Sequence, residues 1–206
     1  TIKVEQDDMG GEGPREWDNL GTMVYWHRNY NLGDVDGSRE YESPNMFWLS
    51  LAGIDSDYAT EELVERAQNI VHKKYIILPL YLYDHSGITM NTTGFSCNWD
   101  SGQVGHIYVS LEDVRKEYSV KRVSAKLRKR IEGYLRGEVE TYDQFITGSV
   151  YWFNVEREDE DGEVIDIDSC GGFYGDARDE AGYMVSVIKG AIKSDIEHTP
   201  QQLDLI

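Results

Sequence analysis

The chain has 206 residues, 40% of them apolar, with 14 Tyr and 5 Trp; an aromatic content this high excludes intrinsic disorder and supports a sizeable core. Its formal net charge of −18 and pI near 4.5 oppose contact with nucleic-acid phosphates, so no direct nucleic-acid binding is expected. No apolar run approaches the roughly 20 residues that span a bilayer, no basic-then-apolar leader opens the sequence, and two cysteines make no disulfide framework. A soluble cytoplasmic protein with reduced thiols, no cofactor and no membrane contact is the expectation.

Residues 1–21 begin polar and Gly-rich and read as a flexible lead-in, with Trp17 placed to pin its end. Thr22 to His27 is rich in β-branched and aromatic residues and predicts a strand. Asn31 to Pro44 is turn-rich, and Met46 to Leu51 is a short apolar run of undetermined type. Thr60 to Lys73 predicts a helix: Glu61 and Glu62 suit its first turn, cations suit its last, and Leu63, Val64, Ala67, Ile70 and Val71 share a face. Tyr75 to Tyr83 predicts a strand in which Pro79 implies an edge or a bulge. Asp84 to Gly87 is a turn, followed by strands at Ile88–Thr92 and Gln103–Ser110.

Leu111 to Tyr118 predicts a short helix capped by Ser110, and Val123 to Val139 a longer one that buries Leu127, Ile131, Tyr134 and Leu135. Ser149–Glu158 and Glu163–Asp168 form the clearest hairpin, turning at Asp161-Gly162. Ala181 to Ile196 is the last predicted helix, and 198–206 reads as a loose tail. Strands and helices alternate without regular βαβ spacing. The fold class expected is α+β: a mostly antiparallel sheet with three to four helices, as a single domain over 22–197.

Three polar-aromatic stretches can carry chemistry. The first is Leu80 to Tyr108, which holds His85, Cys97, Trp99, Asp100, Gln103 and His106. A cysteine nucleophile needs a base to form thiolate and a third group to orient that base. Cys97, with His106 or His85 as base and Asp100 as orienter, supplies those parts, although its surroundings match no cysteine-protease signature. The second holds His27, Arg28, Tyr30, Asn31 and Asp34, where Arg28 can grip a carboxylate or phosphate bidentately or pair with an acid of its own chain. The third is Ser169 to Gly175, with Cys170 and three glycines beside two aromatics. It lacks the Gly-Lys-Ser/Thr ending of a phosphate loop.

Zinc is disfavoured. His85, Cys97, His106 and Cys170 are 12, 9 and 64 residues apart, whereas structural zinc uses close pairs. Asp159, Asp161, Gly162 and Asp168 fall on calcium-loop positions, but Arg157 then takes the first, where a cation cannot ligate. No metal site is assigned.

Charge is unevenly spread. Nine basic residues against Glu117 and Glu132 make Arg115–Arg136 a +7 segment, which leaves −25 on the rest. That segment offers a homo-oligomer contact. Glu156 to Glu180 holds 11 acids against two arginines. Glu156, Glu158, Asp159, Glu160, Asp161, Glu163, Asp166 and Asp168 are its candidate binding residues.

Pro14-Arg-Glu-Trp-Asp-Asn-Leu-Gly-Thr-Met-Val to Asp34, Leu78 to Tyr108, and Asp168-Ser-Cys-Gly-Gly-Phe-Tyr-Gly175 together resemble a family of proteins carried by bacteriophages, prophages and other mobile elements. The resemblance supplies no catalytic residues. It implies an accessory protein acting in the cytoplasm of an infected bacterium. With the acidic surface it favours a non-catalytic inhibitor, anti-CRISPR or otherwise anti-defence, that binds a host protein with a basic groove. A small enzyme or ligand-binding protein with a pocket from His27, Arg28, Tyr30, His85, Cys97, Trp99, Asp100, Gln103, His106 and Cys170 is the second reading. A phage structural or assembly protein is the third.

Overall fold

In the computed structural model, which describes residues 1–8, 13–175 and 177–198, the apolar run from Tyr75 becomes a ten-residue strand inside a five-stranded sheet. In chain order the strands are β1 (Ile2–Gln6), β2 (Thr22–Tyr25), β3 (Val35–Asp36), β4 (Tyr75–Asp84), β5 (Ile88–Asn91), β6 (Ser101–Ser110), β7 (Val150–Glu158) and β8 (Val164–Tyr174). The helices are α1 (Gly37–Glu40), α2 (Pro44–Ala52), α3 (Glu61–Lys74), α4 (Leu111–Glu117), α5 (Ala125–Ile146) and α6 (Tyr183–His198). The class is α+β, as expected; the described residues hold six helices rather than three to four. Contacts divide the chain into two compact units, Glu12–Asp143 and Thr1–Gly11 with Gln144–Ile206.

The Glu12–Asp143 unit is built on the sheet β3-β2-β6-β4-β5, antiparallel except where β2 meets β3. Period-two alternation divides its strands between two faces. On one face Ile76, Leu78, Leu80 and Leu82 of β4 lie level with Ile107 and Val109 of β6, all buried. α5 buries Ile131, Leu135, Val139 and Tyr142, and Leu135 meets Ile107 of this face over Gly21, where a Cβ would touch both; Tyr134, expected in that stripe, is 40% exposed. On the other face Val24 packs with Phe47, Trp48 and Leu49 of α2 and Ala67 and Val71 of α3. Each fully buried side chain of this size contributes about 1.5–3 kcal/mol.

Met46–Leu51, undetermined from sequence, belongs to α2. Ser43 Oγ accepts the Met46 N–H at 3.3 Å, Pro44 occupies the first turn and Gly53 closes the helix. Its apolar residues lie all round rather than on one stripe, so periodicity does not reveal it. Thr60 and Ser110 cap α3 and α4 by accepting the N–H groups of Leu63 and Asp113. Pro79 is not on an edge strand, because β4 runs between β6 and β5. β5 pairs only with residues 81–84, so no strand among the described residues pairs with Pro79 on that side; the position is locally an edge, and the ladder shifts register just after it, at Leu80/Tyr81, in line with the expected edge or bulge. Gly105 is required where β6 passes β2: a Cβ there would meet the Val24 carbonyl oxygen at 2.0 Å.

A partly buried ion network fastens the segment before β2. Arg15 donates from Nε and Nη2 to the two Asp34 carboxylate oxygens at 2.9 and 2.5 Å, from Nη1 to Glu138 at 3.0 Å, and to the Gly21 carbonyl at 2.6 Å. Glu138 accepts the Leu20 and Gly21 N–H groups, and Asp34 accepts that of Met23. The Arg15 side chain is 8% exposed. Burial opposes its charge, but the hydrogen bonds and charges of Asp34 and Glu138 outweigh burial and raise its pKa. Trp17, expected to be the pin, is half exposed.

In the other unit the strand order is β1-β7-β8, antiparallel throughout. Residues 2–6, expected in a loose lead-in, are therefore a strand, paired from Ile2↔Val155 to Gln6↔Tyr151. Phe153 and Val155 of β7 pack on Met184 and Ile188 of α6. Arg157 holds Asp195 of that helix at 3.0 Å. α6 runs to His198, so the expected tail falls at 199–206, outside the described residues, as does Met9–Glu12 of the lead-in.

Candidate functional site

The first two polar-aromatic stretches meet at one end of the five-stranded sheet. β2 runs out at Tyr25 into Trp26-His27-Arg28, and β4 turns into β5 through Asp84-His85. Tyr30 stacks on His27 with ring centroids 5.0 Å apart, and its hydroxyl donates to Asp84 at 3.4 Å. The nearby Asp84 charge raises the Tyr30 pKa. Tyr83 packs against both His85 and Phe95.

Within this cluster Asp100, not a histidine, is the hub. Its Oδ2 accepts the Cys97 thiol at 3.7 Å and faces His85 Nδ1 at 3.2 Å. A nucleophilic thiol needs an imidazole to take its proton, with the carboxylate behind the imidazole. Here the carboxylate stands between thiol and imidazole, and neither His85 nor His106 is hydrogen-bonded to Cys97. The geometry fits a structural cysteine better than a Cys-His-Asp hydrolase.

His106 has a different setting. It alternates on β6 onto the α2 face, stacks on Phe47 at 5.7 Å and meets Trp48 edge-on at 5.0 Å. Its Nε2 lies 3.0 Å from Gln103 Nε2, and its Nδ1 is buried without a partner. Burial, with a smaller contribution from His72, pushes its pKa down to about 4. It is a neutral core imidazole at neutral pH. Trp99, expected to line a pocket, is 97% exposed.

Each unit has a cavity that involves predicted residues. In the Glu12–Asp143 unit a cavity of about 440 Å³ is lined by Trp26, His27, Arg28, Asn29 and Ser38. In the other unit one of about 680 Å³ is lined by Cys170 and Gly171–Gly175 together with Tyr151, Tyr183, Met184 and Val187. The close approach expected of the glycines is present: a Cβ on Gly171 would lie 2.6 Å from Asp7 Oδ2, which accepts the Gly172 N–H at 2.8 Å. Cys97 and Cys170 are both free thiols, one in each unit. No group of three or more His, Cys, Asp or Glu able to hold a metal occurs among the described residues.

The acidic ribbon divides its carboxylates between structure and solvent. Asp159 shapes the turn: its Oδ1 accepts the N–H groups of Asp161 and Glu163 at 3.0 and 2.8 Å. Glu156 and Asp166 accept from Asn154. Glu158, Glu160, Asp161, Glu163 and Asp168 are exposed and form no ion pair among the described residues. Arg157, the one cation within the ribbon, is engaged by Asp195.

The basic segment is less available than its charge suggests. Arg128 donates to the Tyr75 carbonyl, Arg136 to Thr92, and Arg130 lies over the rings of Tyr118 and Tyr134. Only Lys116 of the nine forms an ion pair among the described residues, with Glu112 and Asp113. No helix among the described residues is long and apolar enough to cross a membrane.

Comparison with protein-family models, curated proteins and solved structures gives no match to this chain. Sequence reasoning overlooked Ser38 and Tyr183 as cavity residues. Ser38 follows Asp36-Gly37, a pair that reads only as a turn, and Tyr183 sits at a helix start where an aromatic carries no distinctive signal.

Proposed function

We propose that this chain is a binding protein of a phage or other mobile element, which occupies a basic groove on a bacterial host protein of nucleic-acid handling or defence. The observation that carries this reading is the β7–β8 ribbon, with five exposed carboxylates that no cation of the described residues neutralises. Glu160, Asp161 and Glu163 lie in the turn that Asp159 closes, with Glu158 and Asp168 on the strands beside it, so the charges are gathered at one tip whose backbone is already set before docking. A field of this sign speeds encounter with a basic surface and makes the contact sensitive to salt. The likeness of the Pro14–Gly175 motifs to mobile-element proteins supports the setting, and an anti-CRISPR or other anti-defence target fits it.

The test is affinity capture from bacterial lysate at low and high salt, using the wild type beside a variant with Glu158, Glu160, Asp161 and Glu163 changed to Lys. One abundant protein, lost both in high salt and on charge reversal, is the expected result. Retention by the reversed variant, or indifference to salt, would sink the reading.

A second reading, a ligand-binding protein, draws support from the Tyr30–Asp84 contact that gathers two polar-aromatic stretches at one sheet end. The Cys97–Asp100–His85 order supports binding there rather than nucleophilic catalysis.

A further inference from the structure

We infer that the cavity at the end of β2, lined by Trp26, His27, Arg28, Asn29 and Ser38, binds a small anionic molecule through a phosphate-monoester or carboxylate group. The inference is independent of the acidic ribbon, because every lining residue lies in the Glu12–Asp143 unit.

The chemistry of the lining is one-sided. In a chain with 38 acids and 20 Lys and Arg, this cavity of about 440 Å³ has a guanidinium and no carboxylate in its wall. Arg28 is exposed and forms no ion pair among the described residues, which leaves its charge and planar donor fork uncommitted there. Of the two acids two residues from Ser38, neither Asp36 nor Glu40 lines the cavity, and Asp36 is committed to the Ser38 N–H at 3.0 Å and to Arg39 at 3.0 Å.

His27 is preset as a donor. Its Nδ1 accepts the backbone N–H groups of Asn29 and Tyr30 at 3.3 and 3.2 Å. In neutral imidazole the nitrogen that accepts lacks a proton, so the proton sits on Nε2. Stacking on Tyr30 fixes the ring plane. The Ser38 hydroxyl and the Asn29 carboxamide add neutral donors, and Trp26 gives an aromatic wall. A cation, a tautomer-locked imidazole and two neutral donors around one cavity favour an anionic head, and the indole favours a planar body behind it.

The experiment is isothermal titration of the full chain with phenyl phosphate, benzoate and benzyl alcohol, three probes that share a ring and differ in the head. Saturable binding of either anion, with none of the alcohol, is expected; the tighter of the two identifies the head group. Arg28→Gln should weaken the anion by about tenfold or more, the usual loss for a charge-assisted bidentate contact. Arg39→Gln removes a neighbouring charge outside the cavity and should change affinity less than twofold. No saturation by either anion up to millimolar concentration would overturn the site. Equal loss in the Arg28 and Arg39 variants would also overturn it, since that marks a general field effect. The fold of each variant is checked by circular dichroism, and Arg28→Lys, which keeps charge but loses the fork, should recover only part of the affinity.

Discussion

The two units handle charge in opposite ways. Glu12–Asp143 carries 15 basic against 21 acidic residues, a net −6 over 132 residues; the other unit carries 5 against 17, a net −12 over 74. In the larger unit charged groups often work internally, as Arg15, Asp34 and Glu138 do. In the smaller, one arginine holds the helix to the sheet and the ribbon acids remain in solvent. The lesson is that net charge alone does not locate function. The informative quantity is unspent charge together with the place where the fold presents it: carboxylates at the ribbon tip, and Arg28 beside a cavity.

That contrast can be broken by mutation. The largest effect should come from Arg15→Ala, which leaves Asp34 and Glu138 as uncompensated half-buried carboxylates; a loss of about 3–5 kcal/mol in urea denaturation is expected. Arg15→Lys should not rescue it, because an ammonium cannot make the forked contact. Loss below about 1 kcal/mol would show that the network is ornamental. Phe153→Ala, which empties the core under α6, should cost about 3–4 kcal/mol. Hydrogen exchange should then quicken in β1, β7, β8 and α6 while β4 and β6 keep their protection. Uniform quickening would mean the two units unfold as one.

The third test uses pH. His106 has a folded pKa of about 4 against the ordinary 6.5, so the unfolded chain binds its proton more readily. Stability from keeping it neutral is complete above pH 6.5 and is lost as pH falls toward 4, by on the order of 3 kcal/mol. Relief of acidic repulsion acts in the opposite direction over the same range, so the readout is the difference between wild type and His106→Phe. The variant should lose this component of the slope, and identical slopes would refute the assignment. Smallest of all should be the stability change in the ribbon variant with four reversed carboxylates, within about 0.5 kcal/mol per site by thermal denaturation. A larger loss would mean those acids hold the fold.

Much of this was legible in the sequence. The α3 and α4 helices were readable because Thr60 and Ser110 are cap residues ahead of acids. The β7–β8 hairpin was readable from Asp161-Gly162 between apolar runs. α2 was not, since it is apolar on every side. β1 was not, since its partner lies about 150 residues away and an exposed edge strand has no buried alternation. The site was half legible: His27 stacks on Tyr30, which reaches Asp84, but residue types could not say that Asp100 would separate Cys97 from His85. The Arg15 network stayed hidden because its three members are spread over 124 positions.

The pairing of β1 with β7 also sets an order of events. The whole of Glu12–Asp143 is spliced between two neighbouring strands of one small sheet. During synthesis β1 must wait until residues 150–158 have emerged before it has anything to pair with. The larger unit has all of its own strands by then and is free to fold first. Newly made chains therefore acquire the anionic ribbon last, and a truncated product ending before residue 150 carries the Arg28 cavity without it.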